Sequence, residues 1–242
     1  PSATANYPTV AAAVSAISQA GITGSINFLI EPGTYFSPTG GYDLSSVVGS
    51  GGSTTIGFSS LTGSAADVIL YNDTTGTPSS ARHTFNISVP GVSFSSLTFA
   101  RANIGSSTSA ALNFNTGAHN ASITGCVFND LLGTSNFASN AIRLGDCNGV
   151  SIIGNQFNDF YNSIYQTGNS GTVGSAYSSG LQVISNTINR CRYNGIYLIS
   201  VSNFLVQNNL LDGMHPTATF GYGIYFSRCY KATVSENTIQ GL

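Results

Sequence analysis

Charge is what this 242-residue chain has least of. Asp, Glu, Lys and Arg together make 7% of it, and the basic share is one lysine, Lys231, with six scattered arginines. A nucleic-acid surface needs a basic patch, so that class of partner is excluded. No apolar run approaches the ~20 residues of a membrane-spanning helix, so no membrane span is expected. No long segment repeats at 3.6 residues, which excludes a helical repeat. The four cysteines and three histidines show no zinc-like spacing. The chain opens "PSATANYP" without Met or a signal pattern and stops at "SENTIQGL", part-way through a repeat. It therefore reads as a processed protein or a piece of a longer one.

The chain is rich in Gly, Ser, Thr and Asn, and 41% hydrophobic. That composition suits a turn-rich all-β fold and excludes disorder through lack of apolar residues. The segments "SIIGNQFND" (151–159), "QVISNTINR" (182–190), "LVQNNLLDG" (205–213) and "TVSENTIQG" (233–241) superpose without gaps. They bring Asn155, Asn186, Asn209 and Asn237 to one position, which Cys126 and Leu97 occupy in two earlier copies. A repeat of this length signals a solenoid.

A second strand aligns with the first. Phe85, Leu112, Ile142, Ile164, Ile196 and Ile224 share a column. Two residues on stand Ile87, Phe114, Leu144, Gln166, Leu198 and Phe226. Period-2 alternation turns these inward, Gln166 being the exception. The residue between them then faces outward: Asn86, Asn113, Arg143, Tyr165, Tyr197 and Tyr225. The small residues before the tyrosines, Ser163, Gly195 and Gly223, read as leaving their rings accessible.

This pattern resembles the right-handed parallel β-helices of the pectin-lyase-like class, from about residue 24 to the end. The resemblance implies coils of three sheets, with stacked Asn side chains at the short turn between the second and third. Asn155, Asn186, Asn209 and Asn237 match that position, where Asn tolerates a left-handed turn. The predicted organisation is an N-terminal cap over 1–24, with an amphipathic helix in "PTVAAAVSAISQAG" (8–21), and a parallel β-helix over 25–242 that continues in further coils or domains. The opening, with "GVSFSSLTF", is also similar to secreted β-helix proteins of the Bacteroidota cell surface, which implies a secreted or surface location.

If the resemblance holds, the tyrosine strand is the first sheet, which borders the substrate cleft in polysaccharide-cleaving members. Tyr165, Tyr197, Tyr225 and Arg143 are then candidates for contact with a polysaccharide or cell-surface glycan; like residues also stack in solenoids for packing alone. Loops 131–140, 167–180 and 213–222 flank the row, and Phe137, Tyr177, His215 and Phe220 are candidates to wall a groove. A lyase needs a base and a hydrolase needs facing carboxylates. The outward row carries no carboxylate, and Arg143, Arg192, His215 and Arg228 are the only bases or clamps expected near it. Asp130 and Asp159 align in adjacent coils with Arg190 following; they read as one Asp–Arg contact and a solvated neighbour. No cofactor is expected, and calcium, with help from Asn129 and Asn158, is the one metal left open. Cys126, Cys147, Cys191 and Cys229 are expected as free, mostly buried thiols. Three Asn-X-Ser/Thr sequons start at Asn72, Asn86 and Asn120.

The leading expectation is a non-catalytic structural or adhesive solenoid. The alternatives are a polysaccharide lyase or glycoside hydrolase, and a filament module stacking through its open C-terminal coil.

Overall fold

The computed structural model describes residues 6–72, 83–101, 109–131, 139–167, 178–214 and 221–241. Three sheets, parallel at every strand pairing, wind into a β-helix. The first sheet climbs from Tyr42–Leu44 through His83–Ile87, Ser109–Phe114, Ser139–Leu144, Asn162–Thr167 and Asn194–Ile199 to Tyr222–Ser227. The second runs from Ile26–Ile30 to Tyr230–Ser235, and the third from Gly33–Phe36 to Thr238–Gln240.

The two columns aligned above are in register strand by strand, from Phe85 to Ile224 and from Ile87 to Phe226. Gln166 is no exception. It lies in the core with no exposed surface, its Nε2 donating to the Gly145 carbonyl at 3.5 Å. Aromatics fill the lower coils: Phe28, Phe58 and Phe94 stack in the second sheet, and Phe99, Phe128 and Phe157 in the third. Higher up, the third-sheet column narrows to Ile188 and Leu211.

The asparagine ladder forms as the repeat implies. Asn155 donates from its backbone and its Nδ2 to Asn186 Oδ1 (2.9 and 3.0 Å). Asn186 does the same to Asn209, and Asn209 to Asn237. Cys126 sits at the foot, its backbone N–H bonded to Asn155 Oδ1. The left-handed residue is not the ladder Asn but its predecessor: Gly154, Ser185, Asn208 and Glu236 have φ of 64°, 55°, 55° and 57°. The Asn is selected for its side chain, which satisfies buried backbone groups along the axis, and the turn strain falls on its neighbour.

A second buried amide ladder lies outside the repeat's Asn position. Asn194 donates to Asn162, Asn162 to Asn140 (2.8 Å each), and Asn140 to the Ser109 carbonyl. It stands where each first-sheet strand begins and ends at Tyr222, which pairs with Asn194.

Helix α1 (Val10–Ala20) starts at Thr9, whose Oγ1 accepts from the Ala12 N–H, and stops at Gly21, φ 73°. Its buried face is Val10, Ala13, Val14 and Ile17, as the spacing predicts. It packs against Tyr42–Leu44, the first strand of the first sheet. The edge of Ile26–Ile30 borders a cleft of about 730 Å³ lined by Tyr7, Phe28 and Tyr35.

Candidate functional site

The outward row of the first sheet is continuous and longer than the repeat suggested. Pairing runs Asp43, Asn86, Asn113, Arg143, Tyr165, Tyr197, Tyr225. The row therefore does contain a carboxylate, at its foot. Its strand, Tyr42–Leu44, is three residues long and lacks the repeat's markers, so the alternating pattern of the later coils does not reach it.

The lower half is one hydrogen-bonded file. Arg143 Nη1 donates to Asn113 Oδ1 at 3.0 Å, Asn113 Nδ2 to Asn86 Oδ1 at 2.9 Å, and Asn86 Nδ2 to Asp43 Oδ1 at 3.3 Å. Two amides thus link a guanidinium to a carboxylate, every dipole aligned. Asn115 braces the file from the side, accepting from Asn113 and donating to Asn86.

The upper half is aromatic. The Tyr165 and Tyr197 ring centres are 5.0 Å apart and 13° from parallel; Tyr197 and Tyr225 are 4.7 Å apart and 9° from parallel. The rings stack face to face, so both faces of Tyr197 are covered and the open surface is rims and hydroxyls. A second column, Tyr161 on Tyr193 at 4.8 Å, precedes the strands, and Tyr222 leans on Tyr225 at 5.0 Å. Burial, and then the phenols of Tyr165, Tyr225, Tyr193 and Tyr222, push the Tyr197 hydroxyl above its ordinary value. The second column lies in turns, beyond the reach of strand alternation.

Gly195 and Gly223 have a different role from the one expected. A Cβ on Gly195 would come within 2.5 Å of Leu211 Cδ2, and one on Gly223 within 3.1 Å of Ile239. Both positions face third-sheet side chains. Gly195 is small because buried Leu211 and the Gly223 carbonyl fill the space a Cβ would take, not to clear space around the tyrosines. Gly223 faces Ile239, which is 42% exposed.

Arg192 is not available at this face. It is buried, its Nη2 bonded to Asp130 Oδ2 at 2.9 Å and its Nε to the Asp159 carbonyl. Asp130 also accepts from Ser139 Oγ at 2.6 Å. Asp159 forms a separate two-point pair with Arg190 (2.8 and 2.7 Å). The corner thus holds two Asp–Arg pairs rather than one pair and a solvated neighbour. It does not assemble the calcium site considered above either, because Asn129, Asn158 and Asn189 bond one another in a third, outward ladder. Alternation cannot give a direction past the end of a strand, which is why Arg192 was misplaced. Arg228 is exposed in the turn after Tyr222–Ser227. His215, Phe137, Tyr177 and Phe220 lie outside the described residues. Of the sequon asparagines, Asn72 is buried and donates to the His83 carbonyl, Asn86 belongs to the polar file, and Asn120 is exposed.

Residues 62–241 match the family model described as periplasmic copper-binding protein (NosD). The chain belongs to the NosD family. No curated protein matches it. Among solved structures it is similar to Geobacillus virus E2 ORF18, at 13% identity and a TM-score of 0.49, covering 96% of this chain and 47% of that one. The chain thus spans about half the length of the viral protein. It is also similar to the pectin methylesterase from Aspergillus niger, at 14% identity and a TM-score of 0.46, over 100% and 89% of the two chains. NosD proteins are described as periplasmic, and no helix among the described residues is long and apolar enough to cross a membrane.

A copper site draws on thiolate, thioether and imidazole ligands that converge. The described histidines of this NosD member do not. His83 is buried and its Nδ1 accepts from the Ala110 N–H; the His119 Nδ1 accepts from the Asn148 N–H. Among the described residues no three of His, Cys, Asp or Glu gather.

Proposed function

We propose that this chain is a non-catalytic, secreted or cell-surface solenoid segment of the NosD family that binds polysaccharide along the outward row, through Tyr165, Tyr197 and Tyr225 with Arg143 at their foot. The observation that supports it is the tyrosine column: three phenols in register, 4.7–5.0 Å apart, on an outward face. Because the rings cover one another's faces, the sugar meets their rims, and the hydroxyl row supplies the hydrogen bonds. The reading needs no cofactor. It needs no catalytic pair either, and in this row the one carboxylate, Asp43, stands three strands below Arg143.

The test is a panel of acidic and neutral polysaccharides, with and without calcium, scored for binding and for chain length by mass spectrometry. Binding with unchanged chain length is expected. Tyr197→Phe, which keeps the stack and deletes one hydroxyl, should weaken it. Shortened chains would overturn the reading in favour of a lyase or hydrolase.

A further inference from the structure

We infer that this chain holds no copper, and that its four cysteines are packing groups of the solenoid. The described thiols occupy separate places. Cys126 fills a ladder position between the second and third sheets, and its Sγ donates to the Thr124 carbonyl at 3.5 Å. Cys147 and Cys229 share the turn that follows the first sheet, but the strands before them are three steps apart in the stack. At about 4.8 Å per step they are separated by roughly 14 Å. Cys147 Sγ donates to the Asn115 carbonyl at 3.3 Å, and Cys229 Sγ to the Ser227 carbonyl at 3.4 Å. Cys191 is buried at the end of Thr187–Cys191, on the opposite corner.

Position and protonation act together. A cysteine ligates copper as its thiolate, and a carbonyl that accepts the S–H proton favours the thiol. Burial pushes Cys126 and Cys147 up to about 12 and Cys191 up to about 11. Burial, and then Arg101, lowers His83 to about 4, so that imidazole stays neutral, but its Nδ1 is already committed to Ala110. Recruiting any of these groups means opening a core coil.

Cys191 comes nearest to a second soft donor. Its strand partner in register is Met214, the only methionine in the chain, and His215 follows in sequence. The experiment therefore loads the reduced, full chain with Cu(I) held by a bicinchoninate buffer, and separately with Cu(II) sulfate. After desalting, copper is counted by atomic emission, and thiols with Ellman's reagent before and after guanidinium. Copper far below one per chain, with no more than Cys229 reacting in the native state and all four after unfolding, is the expected result. One retained copper per chain, lost in Cys191→Ser or Met214→Leu proteins that keep the native circular dichroism, would overturn the inference and place the metal at that corner. Retention unaffected by those changes would also overturn it. Native reactivity of two or more thiols would overturn the packing role even without copper.

Discussion

The two halves of the outward row solve the same stacking problem with opposite chemistry. Below Arg143, side chains in register meet through hydrogen bonds, and the file needs its members in sequence: carboxylate, amide, amide, guanidinium. Above it, identical rings meet face to face and any member fits any place. The polar file is directional and intolerant; the aromatic column is repetitive and forgiving. A parallel coil stack can therefore carry a differentiated stretch and a uniform one on a single face, provided the registers match.

Acid should separate the halves most strongly. His83 begins the strand that carries Asn86, and its protonation is held down to about 4 by burial and Arg101. The unfolded chain takes up that proton near pH 6.5, so stability falls as pH drops from 6.5 toward 4, by about 3 kcal/mol. Urea unfolding across that range should show the loss, and His83→Gln should flatten it. Next in size, Asn113→Ala removes the acceptor of Arg143 and a donor to Asn86 at a site only 3% exposed. A cost of about 2 kcal/mol in the urea midpoint is expected.

The aromatic half should respond less. Tyr197→Ala breaks two ring contacts of the column and should cost about 1–2 kcal/mol, against roughly half of that for Tyr165→Ala, which breaks one of them among the described residues. Equal costs in thermal melts would mean that the stack contributes nothing beyond area. Smallest is the alkaline response. The Tyr197 hydroxyl is raised, so its contribution is intact below pH 10 and fades above it as the unfolded phenol ionises first. Tyr197→Phe should remove that fading and change stability little below pH 10.

Most of the scaffold was legible because its physics is periodic. The inward columns and the 155–186–209–237 ladder follow from alternation and a shared Asn, and both hold pair by pair. What escaped breaks period. The second ladder lies at strand starts where consecutive residues, Asn140, Ala141 and Ile142, are all buried, so alternation assigns one of them wrongly to the surface. Gly195 and Gly223 were misread for the same reason. Asp43 hides in a three-residue strand, Tyr161 and Tyr193 in turns, and Arg192 just past the end of Thr187–Cys191. A local pattern fixes which face a strand residue takes, but a corner residue is placed by its three-dimensional partners.

The tyrosine column also has an optical side. The chain contains no tryptophan, so nothing drains or masks phenol emission. Rings held nearly parallel at 4.7–5.0 Å couple their transition dipoles. The near-ultraviolet circular dichroism of the intact protein should therefore carry a split tyrosine band that a dispersed set of the same residues would not give. The face offered to a ligand reports its own geometry, without a label.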